Sequence, residues 1–133
     1  MVLRYYENMK SPSDELAWPE AQPLYQVKAD MFKGLAHPVR VRVLEVLAGS
    51  EEEPVTELMR VTGLEPSNLS QHLSVLRRHR LVLAERRGSF VYYRLAFPEV
   101  AQLLTVARRL LVLALEESQD RLAASESLPS FGQ

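Results

Sequence analysis

The chain has 133 residues, of which 47% are hydrophobic and 25% are charged, with five glycines, eight prolines and no cysteine. This composition is typical of a single globular domain, and it excludes collagen-like, low-complexity and fully disordered proteins. The lack of cysteine excludes disulfides, thiolate nucleophiles, iron–sulfur clusters and thiolate-bound zinc. The first residues carry neither a basic region nor an apolar run, so we expect no signal peptide, a cytoplasmic location and no membrane partner.

The net charge of −1 conceals one strongly basic segment. Residues 66–94 hold six arginines and a single glutamate, whereas the segments on either side are net acidic. A polyanion needs only a local basic patch, because counterions are released at the contacts themselves. Charge alone therefore leaves two interpretations open, a nucleic-acid-binding surface or a solvated arginine-rich face.

The chain begins with a proline-containing arm, residues 1–23, for which we predict at most one helical turn. Apolar residues at helical spacing predict a first helix over residues 24–35. A proline then suits the first turn of a second helix, at about residues 38–47, which places Arg40 away from its apolar side. Residues 51–53 are all glutamate and predict an acidic loop.

A short helix, a glycine-containing turn and a longer helix follow. We place the short helix at about residues 54–61 and expect Gly63 to adopt the left-handed conformation that ends it. The longer helix is predicted over about residues 66–79. Its N-cap is Glu65, where a smaller polar residue would cap better, whereas His37 is expected to help cap the second helix. Short helix, turn and second helix form the helix-turn-helix plan.

A β-hairpin is predicted directly after the helix-turn-helix. Residues 81–85 and 90–95 are rich in β-formers, and Gly88 in the turn between them supplies a positive φ. We expect Tyr92 and Tyr93 to lie in the core. The predicted fold class is mainly α with a small β-hairpin, a winged helix-turn-helix with the order α-α-α-α-β-β-α, dimerised through its terminal helices.

The last helix, predicted over about residues 98–118, is apolar nearly all round. Within residues 100–115 only four are not apolar, and two of these are adjacent arginines, so the helix is unsuited to a bilayer and favours a homodimer. The alternative is a deeply buried helix within a monomer. Residues 24–118 would form the DNA-binding and dimerisation domain, and residues 119–133 a flexible tail. The residues assigned to the dimer interface are Leu24, Val27, Met31, Leu103, Leu104, Leu110 and Leu111.

The fourth helix places polar side chains opposite its leucines. Hydroxyl, amide and guanidinium groups read base edges and phosphates in a major groove, and the N-terminal residues of a recognition helix make most base contacts. Any surface helix has a polar face, so the hairpin beside it, with Arg86 and Arg87 at its tip, strengthens the prediction. We expect these arginines at the minor groove or the phosphates. The polar side comprises Ser67, Asn68, Gln71, Ser74 and Arg78, and the leucines are Leu69, Leu73 and Leu76.

Three segments resemble the ArsR/SmtB family of dimeric winged-helix transcriptional repressors. They are Phe32-Lys-Gly-Leu-Ala-His-Pro-Val-Arg-Val-Arg-Val-Leu, Leu69-Ser-Gln-His-Leu-Ser-Val-Leu-Arg, and Glu85-Arg-Arg-Gly-Ser-Phe-Val-Tyr-Tyr-Arg-Leu in the hairpin. The resemblance implies that a homodimer binds double-stranded operator DNA, usually as a repressor that an inducer releases. It also implies contacts to DNA at Ser67, Asn68, Ser70, Gln71 and His72, and hairpin contacts from Arg86 to Ser89.

The sensor regions depart from the family pattern. Metal- or arsenic-responsive members carry Cys-x-Cys at the third helix, where this chain has Pro54-Val-Thr-Glu-Leu. Other members bind zinc between their last helices through paired histidine and carboxylate ligands, but the last helix here contains no histidine, which transition metals prefer. We therefore expect no metal site and no cofactor, and the inducer is left unidentified.

Two other functional classes compete with this interpretation. An enzyme is excluded because no catalytic triad, phosphate-binding glycine loop, zinc-hydrolase motif or carboxylate pair stands out. A winged helix that serves only as a protein–protein or dimerisation module stays open as the alternative. The basic hairpin tip beside a polar recognition face favours DNA binding, because a pure interaction module does not need it.

Overall fold

The computed structural model describes residues 22–127, so residues 1–21 of the predicted arm and the last six residues of the predicted tail lie outside the described residues. Five helices and three strands follow one another in this part of the chain. They are α1 (Leu24–Leu35), α2 (Pro38–Ala48), β1 (Glu53–Pro54), α3 (Val55–Thr62), α4 (Pro66–Arg78), β2 (Val82–Arg87), β3 (Phe90–Leu95) and α5 (Pro98–Ser127).

The predicted hairpin is the larger part of a three-stranded antiparallel sheet with strand order β1-β3-β2. The hairpin register runs from Val82 opposite Leu95 to Arg87 opposite Phe90, so the turn has two residues. Gly88 in this turn has φ 63°, as predicted. β1 adds a third strand by pairing with the middle of β3, which corrects the element order to α-α-β-α-α-β-β-α. Sequence patterning missed β1 because it has two residues, one of them a proline without a backbone donor.

The core of residues 22–101 lies between the helix-turn-helix and the sheet. α2 packs against α3, α4 and β3, and α4 also packs against α1 and β2. The leucines predicted for the inner side of α4 are buried, and Val82 joins them from the sheet. Tyr93 is buried as predicted, whereas Tyr92 is only partly buried. Apolar burial on this scale is the main source of folding free energy in a domain of this size.

The ends of the central helices explain why the helix-turn-helix has its geometry. His37 caps α2, because its Nδ1 accepts a hydrogen bond from the Val39 amide at 3.1 Å. Gly63 ends α3 with φ 70°, as predicted. Glu65 precedes α4 without a side-chain capping bond.

The C-terminal end of α4 has an unusual residue at its left-handed position. Arg80 has φ 60°, a conformation that usually requires glycine. The Leu81 amide donates to the Leu76 carbonyl and the Arg80 amide to the Arg77 carbonyl, both at 2.9 Å. These two bonds form a Schellman motif, which turns the chain directly from α4 into β2.

Residues from Gln102 onward form a second unit, which consists of most of α5. The helix continues to Ser127, so the tail predicted from residue 119 is wrong over its first nine residues. Glutamine, arginine, leucine and alanine in this stretch are good helix formers. Arg121 also donates to Glu117 one turn earlier at 2.6 Å, a spacing that supports a helix. Among residues 102–125 no side chain is buried.

Candidate nucleic-acid interface

The polar side of α4 is open to solvent along its length. Every polar residue assigned to it is exposed, and the three leucines on the opposite side are buried. The burial of the leucines fixes which side of the helix is presented, because a rotation would expose them to water. The residues that the fold brings together on this exposed side are Ser67, Asn68, Ser70, Gln71, Ser74 and Arg78.

His72 differs from these residues, because its ring is directed into the body. The ring centroids of His72 and His37 are 4.2 Å apart, and Nδ1 of His72 is 3.2 Å from Nη1 of Arg40. Burial, followed by the nearby His37 and Arg40, lowers the pKa of His72 below its ordinary value. Of the α4 contacts implied by resemblance, His72 is therefore the one that the fold already engages elsewhere.

The wing, residues 82–95, presents Arg86, Arg87 and Ser89 at its exposed end. Arg87 is also held from two sides within the protein. Its guanidinium forms an ion pair with Glu52 and lies over the Tyr92 ring, 3.8 Å from the ring centroid. The hydrogen bond to Glu52 raises the pKa of Arg87, so the side chain stays charged. Arg86 and Arg87 thus differ in their contacts within the protein, although sequence analysis assigned them the same role.

Two residues at this interface were missed by sequence reasoning. Glu52 belonged to a predicted acidic loop, and no pattern links it to Arg87, 35 residues later. Arg40 was placed away from the apolar side of its helix, yet it is half-buried and bonded to α1 and α4. Pro38, two residues before Arg40, and the position of Arg40 early in α2 are the only sequence signals that place it near the preceding helix end.

The residues assigned to a dimer interface lie in two places. In α1, Leu24 is exposed, and Val27 and Met31 are half-buried. In α5, Leu103 and Leu104 are half-buried. Leu110 and Leu111 of α5 are 65% and 69% exposed.

Among residues 22–127, no three histidine, aspartate or glutamate side chains lie together in a group that could hold a metal ion. No helix in this range is both long enough and apolar enough to cross a membrane.

Comparison with known proteins places the helix-turn-helix in a recognised group. Residues 35–84 match the model of a family described as a helix-turn-helix domain. The chain is 46% identical over 113 residues to Rv0081 of Mycobacterium tuberculosis, an uncharacterized HTH-type transcriptional regulator, across 85% of this chain and 96% of that protein. The crystal structure of Rv0081 is similar to this fold with a TM-score of 0.68 and 47% identity, over 74% of this chain and 98% of that one.

Two further relatives connect the chain to a named family. The arsenic resistance transcriptional regulator ArsR1 of Pseudomonas putida is 36% identical over 98 residues, across 72% of this chain and 76% of that protein. The solution structure of Mb0332 from Mycobacterium bovis is described as a homodimeric winged helix-turn-helix DNA-binding domain of a possible ArsR-family regulator. It is similar with a TM-score of 0.61 and 32% identity, over 66% of this chain and 81% of that one.

Proposed function

Because this chain belongs to the ArsR/SmtB family of winged helix-turn-helix transcriptional regulators, we propose that it binds an inverted-repeat DNA operator as a homodimer and represses transcription there. In this proposal α4 enters the major groove. Its N-terminal polar residues, above all Ser67, Asn68 and Gln71, contact base edges. Arg78 at its other end contacts the phosphates.

The wing supplies the second contact with the duplex. Arg86 is exposed at its tip, where a guanidinium can reach a narrow minor groove or a phosphate. Arg87 is exposed too, but it exchanges its ion pair with Glu52 for a phosphate when DNA binds. Ser89, in the turn, can donate its hydroxyl to a phosphate.

The homodimer is proposed from the exposed apolar residues of α1 and α5. Large apolar patches on a soluble protein mark interaction sites. Leu110 and Leu111 are examples in α5, and Leu24 is one in α1. The homodimeric state described for Mb0332 supports the same assembly. A two-fold axis would place two copies of α4 in successive major grooves, with half-sites roughly 10 bp apart or a multiple of this.

One observation supports DNA binding above all others. The exposed side of α4 combines hydroxyl, amide and guanidinium groups, and the exposed arginines of the wing tip follow in the same folded body. A winged helix that served only as a protein interaction module would have no use for this combination. Repression is the mode of action that the family resemblance implies.

Selection of duplexes from a random library by the wild-type protein tests the proposal. We expect an inverted repeat to be enriched, and its affinity to exceed that of a shuffled duplex by roughly a thousandfold or more. The logarithm of the affinity should fall steeply with the logarithm of the salt concentration. A library that yields no preferred sequence, with affinity insensitive to salt, would favour the interaction module instead.

Two alanine variants separate base reading from phosphate contact. We expect Gln71→Ala to cost about 1–3 kcal/mol on the selected duplex and little on the shuffled duplex, because it removes a base contact. Arg86→Ala should weaken binding to both duplexes and make the salt dependence shallower, because it removes a sequence-independent contact. Equal losses on both duplexes for Gln71→Ala would contradict the assignment of this residue.

A further inference from the structure

The junction between α1, α2 and α4 contains a polar cluster that the proposed DNA contacts do not use. Its centre is the half-buried guanidinium of Arg40. The Nε atom donates to the Gly34 carbonyl at 2.7 Å, and Nη2 donates to the Lys33 carbonyl at 3.3 Å. The third contact, from Nη1, reaches His72 of α4 at 3.2 Å. One side chain thus connects three helices.

Each bond has a physical reason in the local structure. Lys33 and Gly34 lie in the last turn of α1, where carbonyls lack the partner four residues later and carry the negative end of the helix dipole. The Lys33 carbonyl also accepts from the Ala36 amide at 3.2 Å, so it is shared between this amide and Arg40. The planar guanidinium offers five donors in a fixed geometry, so it can bind two carbonyls and still reach a third acceptor. A lysine at the same position would present a single ammonium group and could not reproduce this arrangement.

The contact with His72 requires a neutral ring. Arginine has donors only, so Nδ1 of His72 must be the acceptor, with the ring proton on Nε2. His37 also uses its Nδ1 as an acceptor, for the Val39 amide. A protonated His72 would lose its acceptor and would face two neighbours, Arg40 and His37, of which the first is permanently positive.

We propose that Arg40 is a positioning residue for the recognition helix: it fixes α4 to the C-terminal end of α1 through neutral His72, and protonation of His72 in mild acid breaks this link and lowers sequence-specific DNA binding. The inference rests on the proposed function. His72 directly follows Gln71, so a change at the buried side of this turn moves the side chain assigned to base reading. Because α1 belongs to the proposed dimer interface, Arg40 also connects that interface to α4.

The charged groups around His72 and His79, which follows the last residue of α4, are consistent with this pH dependence. Burial first, and then His37 and Arg40, lowers the pKa of His72 below its ordinary value of 6.5. His79, at the end of α4, packs against Gly34 so closely that a Cβ there would lie 2.6 Å from its ring. Its pKa is also lowered, mainly by burial and then by Arg78, with Asp30 opposing and Arg40 adding to the shift. Both rings are therefore neutral at pH 7.5 and take up a proton at a lower pH than an ordinary histidine.

The test compares Arg40→Gln with a control, Arg42→Gln, in the full-length chain. Arg42 lies on the same helix, is exposed, and forms only a loose ion pair with Glu45 at 3.8 Å. The duplexes are the one selected by the wild-type protein and its shuffled version, at constant ionic strength. We expect Arg40→Gln to lower the ratio of the two affinities about tenfold at pH 7.5, and Arg42→Gln to leave it within about twofold.

The pH profile separates positioning from a general loss of stability. Between pH 7.5 and 5.0 the affinity ratio of the wild type should fall, whereas that of Arg40→Gln should stay constant, because its link is already broken. His72→Gln keeps an acceptor that cannot be protonated, so its ratio should also be independent of pH. The shuffled duplex corrects for the general gain in affinity that added positive charge produces in acid.

Several results would overturn the inference. They are an affinity ratio for Arg40→Gln equal to that for Arg42→Gln, a wild-type ratio that does not change with pH, or a His72→Gln profile equal to that of the wild type. If Arg40→Gln does not fold, the inference is tested by comparing the pH profile of the wild type with that of His72→Gln. NMR of the free wild-type protein gives an independent answer, because the Gln71 side-chain amide signal should shift with the titration of His72. If the wild type selects no DNA sequence, the proposed function fails, and the NMR titration still tests the link.

Discussion

The body formed by residues 22–101 and the helix that continues from residue 102 are stabilised in different ways. The body buries the leucines of α2, α3 and α4 together with the inner side of the sheet. Among residues 102–125 no side chain is buried, although seven leucines and two valines lie there in a single helix. The difference teaches that the same apolar composition can form a core within one chain or, as we propose for α5, a surface for a second chain.

The largest effect is expected from charges in the apolar surface of α5. The double variant Leu110→Glu with Leu111→Glu should convert the dimer to a monomer, because two carboxylates per chain would have to be buried at the interface. Loss of the second half-site should weaken operator binding roughly 100-fold or more. Light scattering and DNA titration measure the two effects.

The control for this variant is Gln119→Glu, which adds a charge to an exposed polar position of the same helix. It should leave the dimer intact. A dimer that persists in the double variant would show that these leucines lie outside the interface. It would also contradict the use of the apolar surface of α5 for a second chain.

A smaller but still large effect is expected from the body core. Leu73→Ala should lower the free energy of unfolding by about 2–5 kcal/mol, because it leaves a cavity among fully buried side chains. Ser74→Ala, at the exposed neighbouring position, should change it by less than about 0.5 kcal/mol. Urea unfolding at one fixed chain concentration gives both values. Similar losses for the two variants would contradict a core on this side of α4.

Acid should destabilise the body, because His72 and His79 both have a pKa below the ordinary value of 6.5. The unfolded chain therefore takes up protons near pH 6.5, at which the folded chain still excludes them. The contribution of these two histidines to the free energy of unfolding is fully present above pH 6.5 and declines as the pH falls below it. Urea unfolding between pH 7.5 and 5.0 should show this decline, and it should be weaker in His72→Gln combined with His79→Gln. An unfolding free energy that rises as the pH is lowered from 7.5 to 5.0 would contradict the prediction.

The smallest effect is expected at the wing. Glu52→Gln removes the carboxylate that holds Arg87, so the arginine becomes available to phosphates. We expect binding to the selected and the shuffled duplex to strengthen by up to about threefold, which is the scale of an exposed ion pair. Glu51→Gln makes the same change in net charge at the exposed neighbouring residue. Equal effects of the two variants would mean that only charge matters, and that the pair with Arg87 has no role.

The sequence predicted most of the fold because the signals involved are local. Helical spacing located α1 to α4, proline and glycine marked the ends, and β-formers with Gly88 located the hairpin. β1 was missed because a two-residue strand has no periodicity. The end of α5 was placed nine residues too early, because the sequence changes there from apolar to polar, although helix propensity continues.

The candidate site was predictable to the extent that it follows from the spacing on one helix. Ser67, Asn68, Gln71 and Arg78 share a side of α4 whatever the rest of the chain does. The engagement of Arg87 by Glu52 and of His72 by Arg40 was not predictable, because each pair joins residues more than 30 positions apart. Such contacts depend on how helices and strands pack, and no periodicity encodes them.

By itself the sequence determined the helix-turn-helix, the wing and the polar side that faces outward, because hydrophobic spacing and turn chemistry act over a few residues. Only the tertiary structure decided which polar residues already have bonding partners within the protein. It distinguished His72 from its exposed neighbours and Arg87 from Arg86, because the free energy of a side chain depends on the groups that packing brings beside it.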